Sequence, residues 1–360
     1  MSSLLFQPVE RARARRPYRV TASPTPDLLR LDGNEAAGAP DRLRDLLTAA
    51  RLPVLSRYPN GAELEGALAA RFGLEAEQCL VTAGADEALD RAARVALEPG
   101  RRCVLASPGF EMSERYAELA GAELVRTPWE SDAFPRAELE RDARSASLLV
   151  VASPNNPTGR VAPASELVAL ARSLPRTLCV YDLAYVEYAA QDPTRALLQE
   201  PNVLVMRTLS KAWGLAGLRV GYALGPSTVI DWMRASAGPF PVSSLSLALA
   251  CAALEGGEEV PRAARAQVAQ EREQLSDALR SVGGRPSPSE GNFAFARFGS
   301  AQRAAEVARA LEQGGVRVRA FGQRPGLEDA LRITCPQDAA TTRRVLELFA
   351  SLSEGLEVAS

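Results

Sequence analysis

Histidine is absent from the 360-residue chain, and lysine occurs once, at Lys211. Without histidine there can be no Ser-His-Asp or Cys-His catalysis and no histidine metal site. Cysteine is scarce and scattered: Cys79, Cys103, Cys179, Cys251 and Cys335 form no CxxC pair. An odd, widely spaced set predicts reduced thiols in a cytoplasmic protein rather than a disulfide frame. Cys79, Cys103 and Cys179 fall on apolar runs and read as small core residues. No run of about 18 apolar residues is present, so no membrane span is expected, and "SLSLALACAAL" reads as a buried helix. Excess positive charge is also lacking. A net charge of −2 argues against a nucleic-acid partner. The nucleotide-binding patterns GxxxxGK[ST] and GxGxxG do not occur. The arginine-rich "ERARARRPYR" has no signal-peptide core, and its proline-bounded turn predicts an arm packed on the body or on a partner subunit rather than a transit peptide.

What is present is ordinary in amount, with 46% hydrophobic and 24% charged residues, enough for a large domain and a smaller one. Strand and helix patterns alternate. "CLVTAG", "RCVLASP", "AELVRTPW", "SLLVVASPNNPTG", "TLCVYDLAY", "NVLVMRTLS" and "RVGYALG" read as strands, with helical spacing between most of them. That alternation predicts an α/β fold with a mostly parallel sheet covered on both faces. Ligands in such sheets bind at the carboxyl ends of the strands. Polar candidates stand at those ends, at 84–86, 156, 182 and 208–211. From about 241 the pattern changes to a long charged helix and short strands at "NFAFARF", "GVRVRAF" and "ALRITCP", which predicts a second, α+β domain. The expected division is an arm over 1–35 that joins the smaller domain, a large domain over 36–240 and a small domain over 241–360.

Lys211 is the chemical outlier. Every other cationic side chain is arginine, which keeps its charge and cannot be deprotonated in proteins. A lysine amine can lose its proton and attack a carbonyl, so it is the side chain that forms Schiff bases. With no histidine available, it is also the natural proton carrier.

"SPNNPTG", "YDLAY", "TLSKAWGLAGLRVGY" and "LRIT", in that order around the single lysine, resemble the class I/II aminotransferases of the fold-type-I pyridoxal-phosphate (PLP) architecture. The closest likeness is to histidinol-phosphate aminotransferases, and it runs from about Tyr18 to "LRIT". The resemblance implies PLP bound covalently to Lys211, and an amino donor and a 2-oxo acid as substrates. It implies Asp182 as the carboxylate that keeps the pyridine nitrogen protonated, although a helix-capping aspartate at a strand end would look the same. Asn156 and Tyr185 match donors to the cofactor's phenolic oxygen; Asn155 and Asn156 could also simply serve a turn before Pro157. Gly84, Ala85 and Asp86 match a phosphate-binding helix start, and Thr208, Ser210 and Arg219 match further phosphate ligands. Phe110 matches the ring stacked on the cofactor, where tyrosine is more frequent among the resembled enzymes. Tyr58 matches a tyrosine donated by the neighbouring subunit, which implies a homodimer with shared sites.

For the substrate, Arg332 matches an anion-binding arginine suited by its planar fork, and Arg319 a second. Arg317 and Arg319 alternate on a strand, and either could face water. Tyr18 and Asn34 match an arm that closes over the substrate. "NEAAGAP" departs here from the "NENPYGP"-like text usual in the resembled enzymes, as Ala85 departs from a frequent serine. Other readings on the same scaffold are an aromatic or other amino-acid aminotransferase and a threonine-phosphate decarboxylase. The aminotransferase-like domain of certain transcription regulators fits less well, because those chains place a basic DNA-binding domain ahead of it.

Overall fold

The computed structural model describes residues 28–36, 42–51 and 56–357. Among these, the strands are β1 (Leu29–Leu31), β2 (Cys79–Thr82), β3 (Arg102–Ser107), β4 (Glu123–Pro128), β5 (Leu148–Ala152), β6 (Leu178–Asp182), β7 (Val203–Thr208), β8 (Gly221–Leu224), β9 (Arg285–Pro286), β10 (Phe293–Arg297), β11 (Val316–Ala320) and β12 (Ala330–Thr334).

Seven of them form one sheet in the order β2-β8-β7-β6-β5-β3-β4. The neighbours from β7 through β4 run parallel, and β8 is antiparallel to both β7 and β2. The central strands are apolar throughout because both of their faces are buried. Their side chains alternate between two cores. Leu149, Val151, Cys179, Tyr181, Val203 and Val205 face one cluster. Leu148, Val150, Val180, Leu204 and Met206 face the other.

The second sheet has the order β1-β11-β12-β10-β9. It is mainly antiparallel, with β1 added in parallel to β11. Residues 29–31 of the expected arm therefore belong to the smaller sheet. That sheet packs Phe293, Val316, Leu331 and Ile333 against Val268, Leu275 and Leu279 of the helix Glu259–Ser281, and against Val345 and Phe349 of the helix Ala339–Glu357.

The change of core does not fall at 240. Leu247, Leu249, Ala250 and Leu254 of the helix Ser244–Glu255 sit in the same cluster as the large sheet. That helix is apolar nearly all round, and such a helix has to be enclosed by the nearest large core. The helix Glu259–Ser281 packs in the smaller core, which also takes in Leu31, Ala184, Tyr185, Tyr188 and Ala212. Cys79, Cys103, Cys179 and Cys335 are buried free thiols. None of the described helices is long and apolar enough to cross a membrane.

A candidate cofactor site at the strand ends

The carboxyl ends of β5, β6 and β7 open onto a cavity of about 230 Å³ between the two sheets. Asn34, Ala85, Asp86, Phe110, Asn156, Asp182, Tyr185, Thr208, Ser210, Lys211, Arg219, Arg319 and Arg332 all line it. Larger clefts exist elsewhere on the surface, but none gathers these groups.

One wall is built for an anion. The helix Gly84–Ala96 starts at Gly84, whose φ of +79° is left-handed and costs glycine least. A Cβ added there would lie 2.3 Å from Arg219 Nη2. One added at Gly221 would lie 2.4 Å from the Ala85 amide nitrogen. Gly221 thus lets β8 pass against the helix-start backbone, and Gly84 leaves room for the Arg219 guanidinium. Ser210 Oγ lies 2.9 Å from Thr208 Oγ1 and accepts from Arg219 Nη1 at 3.4 Å. Arg219 Nη2 also reaches Asp86 at 3.5 Å.

At the floor, β6 ends in Asp182, buried and with Oδ1 accepting from the Ala184 amide at 3.1 Å. Burial pushes its carboxyl up to about 6, more than the Ala184 hydrogen bond and Lys211 pull it down. Asp182 and Lys211 both line the cavity, and the bond from the Ala184 amide is also one that a capping aspartate makes. Lys211 Nζ donates to the Asn34 carbonyl at 3.1 Å and to the Gly33 carbonyl at 3.4 Å, and stands 5.6 Å above the Tyr185 ring.

Tyr185 is held by two amides. Asn34 Nδ2 donates to its hydroxyl at 2.9 Å and Asn156 Nδ2 at 3.4 Å. A phenol has one proton to give, and with its acceptor sites taken by amides that proton is free to point at a bound group. Asn156 Oδ1 accepts in turn from Arg332 Nη1 at 2.6 Å, and Arg332 Nη2 donates to the Asp32 carbonyl at 2.7 Å. Asn155 does the turn work: its Nδ2 donates to the Pro108 carbonyl and to Thr158 Oγ1, both at 2.8 Å. Arg319 lies directly opposite Arg332 in the β11–β12 pairing, so both side chains share a face. Arg319, not Arg317, lines the cavity; Arg317 pairs with Glu312 outside it.

Two expected residues stand elsewhere. Tyr58 is 83% exposed, lies outside the cavity and stacks on Phe240 at 4.9 Å. Tyr18 lies outside the described residues, as does Ala37 of the departing "NEAAGAP". Sequence reasoning missed Asp32, Glu111, Phe321 and Arg324, which also line the site. Glu111 reads only as a helix start and Arg324 only as part of a turn, so no sequence signal marked them.

These groups fit a cofactor with a phosphate, a basic ring nitrogen, a phenolic oxygen and an aldehyde. The glycine-cleared helix start would suit the first, the buried Asp182 carboxyl the second, Tyr185 the third and the Lys211 amine the fourth. Fold and site together define a fold-type-I PLP-dependent enzyme. The profile described as aminotransferase class I and II matches residues 29–349, and the chain belongs to that family. It is a PLP-dependent aminotransferase. It is 38% identical to the histidinol-phosphate aminotransferase of Symbiobacterium thermophilum over 337 residues, covering 91% of this chain and 92% of that one. It is 35% identical to the aromatic amino acid aminotransferase of Mycobacteroides abscessus, covering 86% and 89%. The crystal structure of the Sinorhizobium meliloti histidinol-phosphate aminotransferase with pyridoxal-5'-phosphate superposes with a TM-score of 0.82 at 28% identity, covering 91% of each chain.

Proposed function

We propose that the enzyme moves an amino group between histidinol phosphate and a 2-oxo acid, working in the cytoplasm as a homodimer. Bound PLP supplies an electron sink beside the substrate Cα. Lys211 would hold the cofactor and would serve as the base that moves the substrate Cα proton. Asp182 would hold the proton at the ring nitrogen, and Asn156 and Tyr185 would hold the phenolic oxygen. The Ala85 and Asp86 amides, Thr208, Ser210 and Arg219 would anchor the phosphate, and Phe110 would cover the ring. Tyr58 reaches the neighbouring subunit's site, which accounts for its exposed position here.

The observation that supports this substrate is the facing pair Arg319 and Arg332. A carboxylate occupies one guanidinium fork. A phosphate dianion has the oxygens and the charge to bridge two. The likeness to enzymes named for histidinol phosphate points the same way.

Assays of purified enzyme on histidinol phosphate, phenylalanine and phosphothreonine test it. Histidinol phosphate is expected to show the highest specificity constant. Arg332→Ala is expected to lose at least about a hundredfold in that constant, as truncating one partner of a hydrogen-bonded charged pair does. Arg319→Ala is expected to damage histidinol phosphate far more than phenylalanine. Faster turnover of phenylalanine by the wild type refutes the substrate; release of carbon dioxide from phosphothreonine points to the decarboxylase chemistry instead.

A further inference from the structure

The carboxylates that line the cavity are Asp32, Asp86, Glu111 and Asp182. Asp32 pairs with Arg30, Asp86 with Arg219, and Asp182 sits at the floor. Glu111 is different, because it reaches across from the large domain to a substrate-side arginine. Its Oε1 lies 3.2 Å from Arg319 Nη2, with both side chains 36% exposed. Its place in the first turn of the helix Glu111–Leu119 has an ordinary cause, since carboxylates are stabilised there. That cause does not explain its partner.

Neighbouring Arg324 is held differently. Its Nη2 donates to the Gly109 carbonyl at 2.6 Å and to Glu114 at 3.0 Å, which ties it to the loop and helix of the large sheet. Arg319 has one ion pair among the described residues, the one with Glu111. Like charges directly opposite on neighbouring strands repel, and Arg319 and Arg332 are such a pair. Arg332 is steadied by Asn156 and the Asp32 carbonyl. Arg319 is steadied by Glu111. A half-exposed ion pair is weak and opens readily.

We propose that Glu111 is a specificity-determining residue, a resident counter-ion for Arg319. A substrate bringing only a carboxylate occupies Arg332 and leaves the Arg319–Glu111 pair intact. A phosphate dianion bridges both arginines and displaces the Glu111 carboxylate. Glu111 thereby weakens the preference for phosphate and keeps carboxylate substrates acceptable. This deepens the reading above and rests on Arg319 being a phosphate ligand.

The test is Glu111→Gln, which keeps size and removes charge. In the holoenzyme, the half-reaction with histidinol phosphate and with phenylalanine is followed by the cofactor's change in absorbance. The ratio of kcat/KM for the two is expected to rise at least about tenfold, carried by KM with kcat little changed. Glu111→Asp keeps the charge but shortens the reach, and is expected to raise the ratio less. Inorganic phosphate is expected to bind the Glu111→Gln holoenzyme more tightly by calorimetry. In an Arg319→Ala background, Glu111→Gln is expected to leave the ratio unchanged. An unchanged or falling ratio, or the same rise without Arg319, overturns the proposal. If Arg319→Ala itself fails to discriminate between the substrates, the substrate reading has failed instead.

Discussion

Asp182 and Lys211 show what single residues can and cannot disclose. Lys211 stood out because composition isolates it: one lysine among arginines offers a chemistry that charge alone does not call for, and the structure places it in the cavity. Asp182 was ambiguous in sequence, and the structure adds that it is buried among the residues lining the cavity. Its carboxyl is raised from 3.8 to about 6, chiefly by burial. A carboxyl raised on folding is bound to a proton more tightly in the folded state. Its contribution to stability is therefore fully present below about 4 and is lost as pH rises through about 6. In protein stripped of cofactor, Asp182→Asn is expected to be the more stable form at pH 8, by up to about 3 kcal/mol. The difference should vanish near pH 4. With cofactor bound, the same variant should lose on the order of a hundredfold in kcat. Thermal melts across pH give the first result and steady-state assays the second; an Asn variant that is less stable than wild type at pH 8 without cofactor contradicts the assignment.

Among the elements, β7 carries most of the site's logic. Thr208 at its end faces the cavity, and Arg207, one residue earlier, points to the opposite face. There Arg207 Nη2 meets Glu187 at 2.9 Å and Nη1 meets Asp192 at 2.6 Å, while its guanidinium lies 5.0 Å from the Phe72 ring centroid. Glu187 follows Tyr185 by two residues, so this buried pair ties the segment after β6 to β7 on the side away from the cavity. Burial raises the Glu187 carboxyl even with Arg207 beside it. Removing one partner of a buried pair leaves a charge with no compensation. Arg207→Ala is therefore expected to lose about 3–5 kcal/mol in denaturant unfolding, with part recovered by adding Glu187→Gln. A loss within about 0.5 kcal/mol, as at an ordinary surface site, contradicts it. The strands themselves were readable because their apolar runs are uninterrupted. The helix Ser244–Glu255 was readable as a helix but not as a member of the large core. A run of leucine, alanine and serine carries no mark of which sheet it packs against. Glu111 and Arg324 were unreadable for a related reason: each acquires its role only from a partner some two hundred residues away.

At the scale of the whole molecule, two sheets with separate cores meet around one cavity, and the exposed Tyr58–Phe240 stack lies apart from it. If Tyr58 completes the site of a second copy, light scattering should give twice the 38.4 kDa chain mass. Mixed Lys211→Ala and Tyr58→Phe subunits should regain activity. Random pairing places both lesions in one site of each heterodimer and leaves the other intact, so about a quarter of wild-type sites return. An active monomer, or no recovery on mixing, removes the shared site. All of this depends on Lys211 bearing the cofactor. The most direct measurement is borohydride reduction of the holoenzyme followed by peptide mass mapping. One modified peptide is expected, spanning Lys211 and carrying the reduced cofactor; a protein whose cofactor is washed away after reduction, or is fixed at the terminal amine instead, contradicts that role for Lys211.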